Sequence, residues 1–160
     1  MSLSLSKISP SLWFDQQAED AACFYCSVFE NSKILETTRY GEAGNGPAGS
    51  VVTVSFELEG QTFVAINGGP HFSFTPAISF SVDCESQKEV DNLWEKLSKN
   101  GEIEQCGWLR DRYGVSWQIV PKVLREYLND SDPKKVKNVT EAMLQMKKLN
   151  IDELNRAYDQ

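Results

Sequence analysis

The sequence predicts an α+β fold: two βαβββ modules forming a curved mixed sheet, followed by C-terminal helices. Three observations predict it. In residues 111–121, DRYGVSWQIVP, a turn at Tyr113 and Gly114 leads into alternation, with Val115, Trp117 and Ile119 facing one way and Ser116, Gln118 and Val120 the other. Residues 60–67, GQTFVAIN, follow the same plan when Gly60 is laid on Gly114, which matches Phe63 to Trp117, Val64 to Gln118 and Ala65 to Ile119. After Pro121 the pattern turns helical.

Within the first module, residues 8–14 (ISPSLWF) put Leu12 and Phe14 on one side of a strand and Ser9, Ser11 and Trp13 on the other. Ala18, Ala21, Ala22, Tyr25, Val28 and Phe29 then recur at helical spacing, with Glu19 and Asp20 well placed in the first turn, so a helix over 18–29 should lie on a sheet. Residues 32–40 and 50–58 are rich in β-branched side chains and read as strands. A tight turn at Glu59 and Gly60 joins the second of them to 61–67.

The second module opens with a strand over 78–83 (ISFSVD), Phe80 and Val82 on one face, Ser79 and Ser81 on the other. Laying Leu12 and Phe14 on Phe80 and Val82 aligns the two openings. Ser86 and Glu89 make a capping-box pattern for a helix carrying Val90, Leu93, Trp94 and Leu97 and ending at Asn100 and Gly101. Two short strands within 102–111 and a last one over 115–120 complete the repeat. The modules thus span about 8–68 and 78–121 of a single domain, and the tail, 122–160, should hold helices over 122–128, 133–149 and 151–158. Asp132 before Pro133, and Asn150 with Glu153, mark two of the helix starts. The stripe Val136, Val139, Met143, Met146 and Leu149 needs a surface to cover, either the edge of its own sheet or a neighbouring subunit.

Composition narrows the function classes. At 160 residues, 41% hydrophobic and 24% charged, the chain can bury a sizeable core, and no apolar run approaches the roughly 18 residues that span a bilayer. Met1 to Ser6 show no basic region followed by an apolar core, so no signal peptide is visible and a cytoplasmic protein is expected. A net charge of −7 argues against a nucleic-acid partner, and Lys134, Lys135 and Lys137 read as the solvated face of a helix. The four cysteines, Cys23, Cys26, Cys84 and Cys106, are expected to be reduced thiols.

Three motifs suggest chemistry. Residues 44–49, GNGPAG, fit a dinucleotide-binding pattern by letter, yet they lie between two strands and aim no helix terminus at a phosphate, so they read as a loop. Cys23 and Cys26 form a C-x-x-C in mid-helix, where no terminus stabilises a thiolate and no second pair completes a zinc site, so they read as core cysteines. His71, the single histidine, sits in the loop NGGPHFSFTP and could act as a general base, contact a ligand, or be a solvated loop residue.

The doubled βαβββ pattern, the A-E-D-A-A-x-F-Y helix, D-R-Y-G-V-S-W-Q-I-V-P and the tail T-E-A-M-L-Q-M-K-K-L-N-I-D-E-L-N-R-A-Y together resemble the vicinal-oxygen-chelate superfamily, which includes glyoxalases, bleomycin-resistance proteins and extradiol dioxygenases. Within it, residues 8–159 look like the PhnB-like branch, often labelled 3-demethylubiquinone 3-methyltransferase-like. The resemblance implies a cleft on the sheet, where metal-using members supply ligands from two strands of each module. Those positions fall near Ser9 and Ala77 and on Val64 and Gln118, so the usual His and Glu set is absent and no metal or other cofactor is expected. The methyltransferase label finds no glycine-rich strand-to-helix turn of the common S-adenosylmethionine kind.

By alternation the cleft wall presents Ser9, Ser11, Trp13, Thr62, Val64, Ile66, Ser79, Ser81, Ser116 and Gln118. Such a wall suits a small, partly hydrophobic, neutral molecule. The ligand-binding residues expected are Trp13, Thr62, Val64, His71, Ser79, Ser81, Ser116 and Gln118, in a homodimeric binding protein. Two rival readings are an enzyme of the same fold using Gln118 and His71, and an interaction protein acting through its C-terminal helices.

Overall fold

The alternation read in residues 8–14 becomes a shorter strand, β1 (Ser11–Phe14), in which Leu12 and Phe14 are buried and Trp13 only half so. This computed structural model describes residues 6–160, so the leader reading at Met1 to Ser6 falls, apart from Ser6, outside the described residues. The chain divides into two compact units, Met1–Phe74 and Thr75–Gln160.

In the first unit, β1 is followed by α1 (Ala18–Val28), β2 (Ser32–Arg39), β3 (Val51–Leu58) and β4 (Gln61–Asn67), in the sheet order β1-β4-β3-β2. The β1–β4 pair is parallel and the other two pairs are antiparallel. Asn67, ending β4, accepts the Ala18 backbone N–H at 2.9 Å, supplying the helix cap that Gln17 does not. The expected α1 stripe is buried against β3 and β4, where the rings of Tyr25, Phe56 and Phe63 stack in sequence at 6.0 and 5.3 Å. Cys23 departs from its core assignment. It is exposed and Cys26 is half-buried, because the inward positions of α1 are 18, 21, 22, 25 and 28. The GNGPAG residues form the loop between β2 and β3, as expected.

The second unit holds β5 (Phe80–Cys84), α2 (Gln87–Ser98), β6 (Glu102–Ile103), β7 (Trp108–Arg110) and β8 (Ser116–Pro121), ordered β5-β8-β7-β6. The topology of the first unit is repeated: β5 runs parallel to β8, and β8–β7 and β7–β6 are antiparallel. Ser86 caps α2 as predicted, accepting from Glu89 N at 3.2 Å, while the Glu89 carboxylate reaches back to Glu85 N at 2.7 Å. Val115, Trp117 and Ile119 lie on the buried side of β8, beneath α2.

Pairing corrects one alignment. Leu12 lies opposite Ala65 and Val82 opposite Ile119, so Leu12 corresponds to Val82 and Phe14 to Cys84, two residues from the match to Phe80 and Val82. A slip of two keeps every side chain on its face, so alternation alone could not detect it.

The tail forms α3 (Lys122–Leu128), α4 (Pro133–Leu144) and α5 (Ile151–Tyr158). Asp132 and Asn150 cap α4 and α5 as read, but α4 ends at Leu144 rather than continuing to Leu149. The N–H groups of Gln145 and Met146 turn to the carbonyls of Ala142 and Met143, three residues back, which closes the last turn, and beyond it the N–H groups of Cys106 and Gly107 donate to the carbonyls of Met146 and Lys147, both at 2.8 Å. Gly107 has φ +82°, and a Cβ there would stand 2.9 Å from both the Ile119 carbonyl and Leu149 Cδ1. Val139, Met146 and Leu149 are buried with Leu124 and Leu154, and Met143 packs partly buried against them, so most of the tail stripe is covered by the chain's own second unit, while Val136 is half-buried outside that cluster.

Candidate functional site

Each sheet has one face covered by its helix and one bearing the residues read as a cleft wall. In the first unit, Ser11 pairs with Val64, and two residues upstream Ser9 Oγ lies 2.8 Å from Thr62 Oγ1. Thr62 also accepts the Ser6 backbone N–H at 3.0 Å. These hydroxyls satisfy one another. Trp13 is held beneath the following loop: its Nε1 donates to the Gly69 carbonyl at 2.9 Å, and Phe72 packs edge-on at 5.0 Å between ring centres. A side chain at Gly68 would collide with the indole at 2.1 Å. His71 lies on this loop and is exposed.

On the second unit, Ser81 pairs with Gln118 as Ser11 pairs with Val64. Ser79 therefore corresponds to Ser9, and Ser116 to Thr62. Their bonding differs. Gln118 Nε2 donates to Ser79 Oγ at 2.9 Å, and Ser116, 1% exposed, has no hydrogen-bond partner for its Oγ among the described residues. A buried polar group without a partner costs about 1–3 kcal/mol. Around these residues, Trp108 pairs with Gln118 and Arg110 with Ser116 across the antiparallel β7. Arg110 is engaged by Glu104 through Nε at 2.8 Å and by Glu102 through Nη2, while Asp83, next along the face from Ser81, pairs with Arg125 at 2.8 Å. Charge on this face is thus locally compensated.

Trp13, Thr62, Val64 and His71 accordingly belong to the first unit, and Ser79, Ser81, Ser116 and Gln118 to the second. Within the second, Ser79 and Gln118 are bonded, Ser81 is exposed on the neighbouring strand, and Ser116 is buried beside them. Sequence reading passed over Asp111. Its carboxylate accepts from Tyr113 N at 2.8 Å, Val115 N at 3.1 Å and Trp117 Nε1 at 2.9 Å, shaping the turn that fixes the register of β8. The signal was present as an Asp three residues before Gly114 and six before Trp117.

With the corrected register, Ser79 replaces Ala77 among the positions that metal-using members would employ, leaving Ser9, Val64, Ser79 and Gln118. This donor set of two hydroxyls and one neutral amide does not fit a first-row divalent ion, which favours imidazole, thiolate or carboxylate. Among the described residues, no group of three or more His, Cys, Asp or Glu stands where it could hold a metal. Burial, followed by the negative charges of Glu89 and Asp83, pushes the Cys84 thiol up to about 12, so it offers no thiolate near neutrality.

The sequence model of the 3-demethylubiquinone-9 3-methyltransferase family matches residues 6–120. The PhnB protein of Bacillus cereus is 40% identical over 72% of this chain and 99% of its own, with a TM-score of 0.67. The chain belongs to this PhnB-like family. Two more distant structures share the fold of the family: protein PA1353 from Pseudomonas aeruginosa (18% identity, 73% of this chain and 98% of that one, TM-score 0.62), and the fosfomycin resistance protein FosX from Listeria monocytogenes, complexed with Mn(II) and sulfate (15%, 80% and 97%, 0.53). A comparison with curated protein sequences found no match. The resemblance read from the repeat and its motifs is therefore borne out. The family's description names methyl transfer, but each sheet here has only one parallel pair and neither is doubly wound, so among the described residues the common cofactor-binding turn of methyltransferases has no counterpart.

Proposed function

We propose that this PhnB-like protein binds a small, partly hydrophobic molecule on the open face of its sheets, without a tightly held metal. The observation that carries this reading is Ser116: a buried hydroxyl without a partner, beside a bonded Gln118 and Ser79, is the arrangement expected of a site awaiting a ligand. The aromatic surface of Trp108 adjoins Gln118 across the strand pair. The enzyme reading has less support, since His71 lies on an exposed loop and Gln118 Nε2 is already bonded to Ser79. The interaction reading has less support, because Val139, Met146 and Leu149 of the tail's apolar stripe are already buried within the second unit.

The same proposal includes a homodimer in the cytoplasm. Exposed Ile34 on edge strand β2 and Ile103 on edge strand β6 support pairing through strand edges, and four free thiols suit a reducing compartment. Native mass spectrometry of protein purified without chelator tests the binding reading. The expected result is a dimer releasing an organic adduct, one that Ser116→Ala no longer carries. Bare chains holding one equivalent of a transition metal would contradict it.

A further inference from the structure

Resting on the small-molecule reading above, we infer that the group recognised on the second module is uncharged and both accepts and donates hydrogen bonds, as a carboxamide, lactam or urea does. The argument is an inventory of what the side chains leave over. Among the described residues, the Ser116 O–H has nothing to donate to. Ser79 accepts from Gln118 Nε2, so its own O–H remains to be given, and Gln118, having given one of its two Nε2 hydrogens to Ser79, offers Oε1 as an acceptor and keeps a second N–H. Two hydroxyl donors, one amide N–H and one amide acceptor lie together on adjoining strands. A carbonyl oxygen has two lone pairs for the hydroxyls, and the N–H beside it matches Oε1.

Charged groups match this surface poorly. An anion needs an uncommitted cation, but Arg110 is already held by Glu102 and Glu104, and Arg125 by Asp83. A carboxylate would also turn an oxygen towards Gln118 Oε1. An ammonium group needs several acceptors or a free carboxylate, and Asp83, Glu102 and Glu104 are ion-paired. The first module supplies the internal control. There Val64 occupies the place of Gln118, the hydroxyls of Ser9 and Thr62 bond each other, and nothing is left over for such a group.

The test uses four probes of similar size: benzamide, benzoate, benzylamine and toluene. Each is titrated into the isotopically labelled full chain and followed through backbone amide resonances. Benzamide should bind at least tenfold more tightly than the other three and shift Ser79, Ser116 and Gln118. Its binding should be lost in Gln118→Val, which recreates the first module's arrangement, and weakened in Ser116→Ala. Retention of the native amide spectrum shows that each variant folds. Equal or tighter binding of benzoate, benzylamine or toluene at these residues would overturn the uncharged-amide inference and leave small-molecule binding standing. Benzamide binding that survives Gln118→Val would also overturn it. No shift at these residues with any probe would overturn both readings.

Discussion

Ser9 and Thr62 in the first module hydrogen-bond each other, whereas their counterparts Ser79 and Ser116 in the second do not, because a glutamine stands where the first module has Val64. The two modules share strand order and pairing sense, so the difference lies in side chains rather than topology. A second contrast accompanies it. The first module builds its outer hairpin from strands of eight residues, while β6 and β7 of the second have two and three, and the tail is bonded to the turn before β7 at Cys106 and Gly107. One module has closed its polar face and the other has kept donors unspent.

Perturbing the cores should separate the modules most strongly. Phe63→Ala and Trp117→Ala each remove a buried aromatic and should each cost about 3–5 kcal/mol in denaturant melts. Trp117→Phe sharpens the contrast: it preserves a ring but leaves Asp111 Oδ2 without its indole donor, for a loss of about 1–3 kcal/mol. Phe63→Leu, which strands no polar group, should cost less than Trp117→Phe. The reverse order would show that the Asp111–Trp117 bond does not hold the β8 turn.

Gly107→Ala tests the tail. A left-handed residue forced against Ile119 O and Leu149 should lose about 1–3 kcal/mol, and hydrogen exchange should rise first in α4 and α5. Unchanged tail protection would mean that docking does not depend on the Gly107 turn.

These contrasts were only partly legible in the sequence. Strand faces, helix stripes and caps could be read because Leu12/Phe14, Val115/Trp117/Ile119, Ser86 and Asn150 each act through periods or contacts a few residues long. The register between β1 and β5 could not, since a shift of two leaves the alternation intact. The end of α4 was also hidden, because the apolar spacing runs on to Leu149 while the segment after Leu144 docks on Cys106 and Gly107, about forty residues away along the chain. For the site, the identities of Ser79, Ser116 and Gln118 were visible. That Gln118 takes Ser79 and leaves Ser116 alone depends on rotamers and pairing across strands, which no local pattern encodes.

Acid should loosen the second unit's tail selectively. Asp91 is held below its ordinary value chiefly by the Lys148 hydrogen bond, then by Gln87, and Asp130 chiefly by the Tyr158 hydroxyl. Both carboxylates bind protons less readily folded than unfolded. Their contribution is therefore complete above the unfolded value, about 4, and is lost as pH falls through the lowered folded values. Amide exchange at acidic and near-neutral pH, corrected for intrinsic rates, should show α4 and α5 losing more protection than α1. Equal losses would remove these two contacts from the account of tail docking.

The smallest effect concerns the thiols. At pH 8, iodoacetamide should label exposed Cys23 of the first unit while buried Cys84 of the second, with its pKa pushed up to about 12, stays unmodified until the protein unfolds. Rapid labelling of Cys84 in the folded chain would contradict its placement.

The claim that the second module gives up stability to keep an open hydrogen-bonding site is tested most directly by the melting stability of Gln118→Val without ligand. The substitution should free Ser79 to bond Ser116 and satisfy its hydroxyl, raising stability by about 1 kcal/mol, while the reciprocal Val64→Gln in the first module lowers it by a similar amount. A Gln118→Val protein that is less stable than the original would contradict the account.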